Sequence, residues 1–160
     1  MDDFDWYRLF KTLHVLGVIL LGSGAVFEAV LGPMMPRAAN VQELRVYTRI
    51  LNLVERVIFP VAALLVAGFG YATASRLHID LTTTWLLLGQ ILFFVAVGLG
   101  FGYLSRASRR LHEAVLATPD GPLTDDLKAQ LANPLPAILG GLSTLLFIVI
   151  VFLMVDKPNW

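Results

Sequence analysis

The sequence contains no cysteine. Disulfide bonds, iron–sulfur clusters and thiol chemistry are therefore excluded, and cysteine usage says nothing about the redox compartment. Charge is also scarce, since only 15% of the residues are charged, compared with about 25% in a typical soluble domain. The formal net charge is zero, so the totals give no reason to expect a nucleic-acid partner. Dinucleotide fingerprints, phosphate-binding loops and nucleophile motifs are missing as well.

Apolar residues make up 57% of the chain, more than a small soluble core could bury. They are concentrated in four stretches, each close to the ~20 residues that a helix needs to cross the hydrocarbon core of a bilayer. These stretches cover approximately residues 9–31, 57–75, 81–105 and 135–155. Helices are the open-ended way to satisfy backbone polar groups in lipid. The sequence therefore predicts an all-α, four-helix transmembrane bundle that forms one integral membrane domain over residues 1–160.

The basic residues indicate how this bundle is oriented. Eight of the twelve lie in the two segments that follow the first and third stretches: Arg37, Arg45, Arg49, Arg56, Arg106, Arg109, Arg110 and Lys128. The positive-inside rule places these segments in the cytoplasm of a bacterial inner membrane and both termini outside. Aromatic residues near the ends of the stretches, Trp160 among them, are typical of interfacial belts. The acidic start, with no small-residue cleavage site after the first stretch, predicts a retained span and not a signal peptide.

Both basic segments also have a helical pattern. The segment VQELRVYTRILNLVERV, which starts at Val41, contains no proline or glycine and places Leu44, Leu51 and Val54 with Tyr47 on one face. The segment GYLSRASRRLHEAVLA continues the third stretch until a Thr-Pro-Asp-Gly-Pro breaker. We therefore predict cytoplasmic helical extensions of helices 2 and 3, followed by a short helix capped by Thr124.

The first stretch carries a stripe at alternating spacings of three and four residues: His14, Gly17, Leu21, Gly24, Glu28 and Leu31. This spacing puts them on one helix face, which we expect to point into the bundle. Small residues also let helices approach closely in lipid. Gly98 and Gly102 form such a pair in the third stretch, suited either to packing within the bundle or to a homodimer face.

Ionisable residues inside a span are candidates for function. Glu28 lies near the cytoplasmic end of the first stretch and Arg56 near the start of the second. A structural ion pair between Glu28 and Arg56 is one prediction; a proton or ligand site at the inner mouth is the other.

His14 is the single best candidate for a cofactor ligand. A neutral imidazole at this depth can ligate haem iron or carry a proton, and it can also simply bond to a neighbouring helix. Gln90, Met154 and His78 are weak candidates for a second ligand on the same side of the membrane. His112 belongs to the opposite side. No histidine–carboxylate cluster of recognised spacing is present, so no metal is predicted beyond a possible haem iron.

Two segments carry a family resemblance. They are FKTLHVLGVILLGSGAVFEAVLGPMMPR (Phe10–Arg37) and VERVIFPVAALLVAGFGYA (Val54–Ala72). Together they resemble an uncharacterised family of predicted four-helix bacterial membrane proteins, related to the copper-resistance protein D-like and HemJ-type protoporphyrinogen oxidase group. The resemblance implies haem b bound by His14. HemJ-type proteins also use a lysine at the start of the third span, where this chain has LTTTWLLLGQIL, so the second axial position is unassigned.

These observations lead to two alternative functions. The first is an integral membrane protein that binds one haem b through His14 and acts in electron transfer or a membrane redox complex. The second is a cofactor-free membrane subunit or small transporter-like protein that docks a partner through its cytoplasmic helices. Lipid is the expected surrounding in both, a homodimer or a larger membrane complex is compatible with both, and whether the protein is an enzyme is left open.

Overall fold

A computed structural model describes residues 5–158 of the chain. Within these residues every regular element is a helix, and there is no strand. Four stretches are long and apolar enough to cross a membrane: Trp6–Arg37, Val41–Arg76, Thr84–Ala117 and Asp125–Asp156. The predicted fold class, an all-α protein with four membrane-spanning helices, is confirmed. Trp160, which the sequence assigns to an aromatic belt, lies outside the described residues.

The four stretches are divided into seven helices. They are α1 (Trp6–Met34), α2 (Val41–Leu53), α3 (Phe59–Arg76), α4 (Thr84–Leu99), α5 (Ser105–Ala117), α6 (Asp125–Leu131) and α7 (Leu135–Asp156). A π-helical turn at Val54–Ile58 joins α2 to α3, and a second one at Gly100–Leu104 joins α4 to α5. The helices α2 and α5 are therefore continuous extensions of α3 and α4, as the sequence predicts.

The membrane helices form an open ring. In this ring α3 packs on α1, α1 on α7, and α7 on α4, whereas α3 and α4 make almost no contact with each other. Their extensions behave differently, because α2 and α5 pack directly together. The two π-helical turns lie where the paired helices separate, consistent with the way π turns redirect a helix axis. The Phe59 and Phe101 rings meet edge-to-face there, with centroids 5.7 Å apart.

We call the end of the bundle that carries Asp5 and Pro158 the terminal end, and the opposite end, built from α2, α5 and α6, the arginine-rich end. The arginine-rich end has a small core of its own: Ala38, Val41, Leu44, Val115 and Leu127. The predicted apolar face of α2 is confirmed, since Leu44 and Leu51 are buried. This layer is therefore a packed unit rather than a pair of free helix ends.

Local hydrogen bonds fix where the helices of this layer begin. The Asn40 side chain accepts a hydrogen bond from the Glu43 amide at 2.9 Å, and the Glu43 carboxylate accepts one from the Ala39 amide at 2.7 Å. This reciprocal arrangement resembles a capping box, with the Glu43 carboxylate bonded to the amide one residue before the N-cap. Thr124 caps α6 through the Leu127 amide at 3.4 Å, as predicted. An ion pair of 2.8 Å between Arg45 and Asp120 ties α2 to the breaker segment after α5.

The loop between α3 and α4 closes the terminal end. Asp80 accepts hydrogen bonds from the Thr82 amide at 2.9 Å and from the Thr82 hydroxyl at 2.7 Å, and these bonds hold the pKa of Asp80 below its ordinary value. Because this turn occupies the residues up to Thr83, α4 begins at Thr84 and not at Leu81.

Candidate functional site

The open ring encloses a cavity of about 510 Å³ that is lined by residues from all four membrane stretches. Its wall is mostly apolar, and its length extends from Tyr7 at the terminal end to Glu55 near the arginine-rich end. Leu77, Ile79 and Leu81 of the loop after α3 contribute to its terminal end. Pockets for small molecules and cofactors occupy roughly 300–1,000 Å³ and are mainly apolar with a few polar groups. This cavity has those properties.

The predicted stripe of α1 faces the interior of the bundle. Gly17, Gly24 and Leu31 are the buried residues of this helix. At Gly17 the approach of α3 is closest, because an added Cβ would lie 2.8 Å from the Leu65 Cβ and 2.9 Å from the Val66 amide nitrogen. Only glycine allows this contact, so Gly17 sets the distance between α1 and α3.

His14 lies on the same face, one turn before Gly17, and lines the cavity. Its Nδ1 is 2.9 Å from the Val66 carbonyl oxygen. Since a carbonyl can only accept, Nδ1 is the donor in this bond, and a neutral ring with its proton there has the lone pair on Nε2. Gly70 provides the space, because the ring atoms Nδ1 and Cε1 lie 3.0 and 3.1 Å from where a Cβ would be.

A histidine held in this way is prepared for coordination. Histidines that bind metals usually donate their other N–H to a carbonyl or carboxylate, which fixes the tautomer and the ring orientation. The same bond is what a purely structural histidine would make with a neighbouring helix. The geometry therefore suits both of the roles that the sequence leaves open for His14.

The three second-ligand candidates have different surroundings. Met154 lines the cavity and packs onto α4 at Gly89. A Cβ added to Gly89 would lie 2.7 Å from the Met154 Cε. Gln90 also lines the cavity, but both ends of its amide are engaged: Oε1 accepts from the Tyr71 hydroxyl at 3.0 Å, and Nε2 donates to the Leu81 carbonyl at 3.0 Å. His78 does not line the cavity. It is an exposed loop residue with a left-handed backbone (φ 52°).

The predicted ion pair between Glu28 and Arg56 is not formed in the described structure, whose ion pairs are at other positions. Glu28 lines the cavity together with Glu55, whereas Arg56 lines only the adjoining pocket at the arginine-rich end, which Glu55 also lines. The reason is helical geometry. Glu55 points toward the ring interior, and the next residue along the helix necessarily points in a different direction.

Two cations at the terminal end of the cavity were not singled out from the sequence. The Lys11 ammonium lies over the Tyr7 ring and the Lys157 ammonium over the Trp85 ring, both 5.7 Å from the centroid. Within residues 5–158, neither ammonium has a carboxylate partner within 4 Å. Lys11 could have been found because it precedes His14 by one helical turn. Lys157 could not, since its position depends on a left-handed C-cap (φ 45°).

The cavity also has a side opening. It lies between α3 and α4, which barely touch, and a hydrogen bond between Tyr71 and Gln90 bridges it. Both residues line the cavity. In the sequence, two polar side chains inside apolar spans are the one feature that marks this gap.

Comparison with protein families gives one match. Over residues 8–158 the chain matches a family described as "Predicted integral membrane protein (DUF2269)". No curated protein matches the chain significantly. No solved structure does so either.

Proposed function

Because the chain belongs to this family of predicted integral membrane proteins, we propose that it works within a membrane, where its cavity binds one haem b for electron transfer or as part of a membrane redox complex. One observation carries the proposal. His14 lines an apolar cavity of about 510 Å³, and the Val66 carbonyl holds its Nδ1 so that Nε2 is left for a ligand.

The residues of the cavity suit a haem. The described part of the chain contains no group of three or more His, Asp or Glu side chains that could hold a bare metal ion. A single histidine suits a metal that brings its own ring nitrogens. The apolar walls would cover the porphyrin and exclude water, and Lys11 and Lys157 offer positive charge to its carboxylates. When bound, the haem supplies the one-electron chemistry.

Two finer points belong to the same proposal. Met154 and Gln90 are the candidates for a second axial ligand, and Met154 is the better one because its sulfur makes no hydrogen bond in the described structure, whereas the Gln90 amide has one hydrogen bond at each end. A bacterial inner membrane, with the arginine-rich end in the cytoplasm, is proposed from the distribution of basic residues. The relation to the copper-resistance protein D-like and HemJ-type group is proposed from the residues of Phe10–Arg37 and Val54–Ala72.

Haemin titration of the detergent-solubilised protein tests the role of His14. We expect a Soret band that saturates at one haem per chain, and binding more than about tenfold weaker in His14→Ala, because the variant lacks the axial nitrogen. His14→Asn separates ligation from packing, since its amide can still donate to the Val66 carbonyl. It should melt like the wild type and still lose haem.

The matched control is His112→Ala. His112 bonds through Nδ1 to the Thr48 hydroxyl at 3.0 Å, and it does not line the cavity. This variant should bind haem as the wild type does. Unchanged haem affinity in both His14 variants would contradict the proposal and leave His14 as a structural contact between α1 and α3.

A second candidate function is a cofactor-free membrane subunit or small transporter-like protein. The observation in its favour is that the cavity and the pocket at the arginine-rich end share Glu55, Phe101 and Ser105. Together the two spaces extend over most of the bundle's length. This alternative predicts a stable, colourless protein that co-purifies with a partner. The double variant Arg109→Glu with Arg110→Glu should weaken the binding of that partner. A homodimer or a larger complex stays a prediction.

A further inference from the structure

A second pocket, of about 360 Å³, lies at the arginine-rich end where α2 meets α5. Its polar lining comes from both helices. The lining residues are Asn52, Glu55, Arg56, Phe101, Ser105, Arg106 and Arg109. The helical periodicity explains why they meet. Asn52 and Arg56 are four residues apart, as are Ser105 and Arg109, so each pair lies on one face of its helix.

The charge of this pocket is positive. Three guanidinium groups line it, against the single carboxylate of Glu55. Arg56 and Arg106 form no ion pair within residues 5–158. Arg109 does pair with Glu113, at 3.6 Å, but both side chains are more than half exposed, so this contact holds the guanidinium only weakly.

Asn52 supplies a second, independent indication of a ligand. It is only 8% exposed, and its side chain makes no hydrogen bond with any described residue. Asn52 is not among the fully sealed side-chain atoms without a partner, so its amide is reached from the pocket, where a hydrogen-bonding partner is normally expected for a side chain this buried. The Asn52 side chain lines the pocket, so a ligand oxygen there could accept its N–H.

The backbone around the pocket is unusual as well. Arg56 and Glu55 belong to the π-helical turn at Val54–Ile58, and Phe101 belongs to the one at Gly100–Leu104. Turns of this kind occur often at functional sites, where they place side chains that a regular helix would direct elsewhere. Both π turns of the described chain thus contribute residues to the same pocket.

We propose that this pocket binds a phosphate-bearing anion. Guanidinium groups match phosphate oxygens with paired, charge-assisted hydrogen bonds, and the Asn52 amide adds a neutral donor beside them. The site is separate from the cavity face that carries His14 and does not depend on haem. Two sources supply this chemistry: the headgroup of an anionic phospholipid in the adjacent leaflet, and a soluble phosphate compound.

Calorimetric titration at constant ionic strength with inorganic phosphate tests the soluble source. Native mass spectrometry after reconstitution in phosphatidylglycerol or phosphatidylcholine bilayers tests the lipid source. Saturable binding of phosphate would support the site and identify a soluble source. Retention of one phosphatidylglycerol, in preference to phosphatidylcholine, would support the site and identify a lipid source. Binding of neither probe would overturn the proposal.

The variants compare arginines inside and outside the pocket. Arg106→Gln should lower the affinity for whichever probe binds by about tenfold, since it removes one charge-assisted contact. Arg110→Gln is the matched control, because Arg110 belongs to the same helix and does not line the pocket. Asn52→Asp keeps the shape of the side chain and adds a negative charge, so it should abolish binding. Equal weakening by Arg106→Gln and Arg110→Gln would show general electrostatic attraction and overturn the site.

Discussion

Replacing Gly17 with alanine is expected to lower the free energy of unfolding of the bundle by about 1–3 kcal/mol, the usual cost of overpacking a well-packed contact. The added Cβ would lie 2.8 Å from the Leu65 Cβ and 2.9 Å from the Val66 backbone nitrogen. A flexible side chain could move aside, but a helix backbone cannot. The helices α1 and α3 must therefore separate, and the bond from His14 to the Val66 carbonyl should lengthen with them.

The matched control is Gly98→Ala, the same substitution in another membrane helix. No atom beyond its chain neighbours and the nearby backbone of its own helix lies within 4 Å of the Cβ that it adds, so it should leave the stability unchanged or slightly higher. Denaturant titration in detergent, followed by circular dichroism, measures both variants. Equal stability of Gly17→Ala and Gly98→Ala would contradict the close packing of α1 on α3.

Replacing Leu44 with alanine should cost about 2–5 kcal/mol, because it leaves a cavity in the core of the arginine-rich end. Leu44 is 0% exposed and packs with Val115 of α5 and Leu127 of α6. Limited proteolysis should then cut the segment between α5 and α6 sooner than in the wild type, since the layer that holds it is loosened. The membrane helices should keep their helical signal.

Leu53→Ala is the control for this second prediction. Leu53 lies at the end of the same helix and is 58% exposed, so its truncation should change the stability by less than about 0.5 kcal/mol. If Leu44→Ala and Leu53→Ala are cut at the same rate, the arginine-rich end is not the packed unit described above.

The sequence was sufficient for the four membrane helices and for the face of α1 that points inward. Long uncharged stretches form helices in lipid whatever their neighbours are. A helix face that carries glycines and two ionisable residues is more stable against other helices than against lipid, so it points into the bundle. The same applies to the extensions α2 and α5, whose continuity followed from the absence of proline and glycine in the segment after Val41 and from the position of the breaker after α5.

The separation of α3 from α4 could not be predicted. It depends on two π-helical turns, which have no clear sequence signature, and on packing partners that are distant in the chain. The Glu28–Arg56 pair was predicted from proximity along the membrane normal, which says nothing about the direction around a helix. Of the two alternatives for Gly98 and Gly102, packing within the bundle is not seen, because no neighbouring helix lies within 4 Å of an added Cβ at either, and the homodimer face stays a prediction.

Part of the candidate site was accessible from the sequence. His14 stood out because an imidazole in an apolar span has few uses, and Gln90 and Met154 followed from their depth; all three line the cavity. His78 was expected on the same side but above the membrane unless its loop folds inward, and it is an exposed loop residue that does not line the cavity. The unbonded amide of Asn52 was not accessible, because a sequence shows neither burial nor an unmade hydrogen bond.

The fold explains why one chain can hold two unlike binding spaces. The membrane helices splay apart toward the terminal end and leave an apolar cavity, while their extensions pack together at the opposite end and bring arginines from two helices into one pocket. The change from one arrangement to the other occurs at the π turns. The cavity proposed for the cofactor and the pocket proposed for the anion therefore meet near these turns, where Glu55, Phe101 and Ser105 line both.

The haem content of the protein, purified in mild detergent from membranes of cells supplied with iron and a haem precursor, tests the central proposal most directly. It is measured as the pyridine haemochromogen per mole of chain. The proposed role of His14 predicts one haem b per chain in the wild type and almost none in His14→Asn at an unchanged melting temperature. A folded wild-type protein that is colourless and free of iron would contradict it.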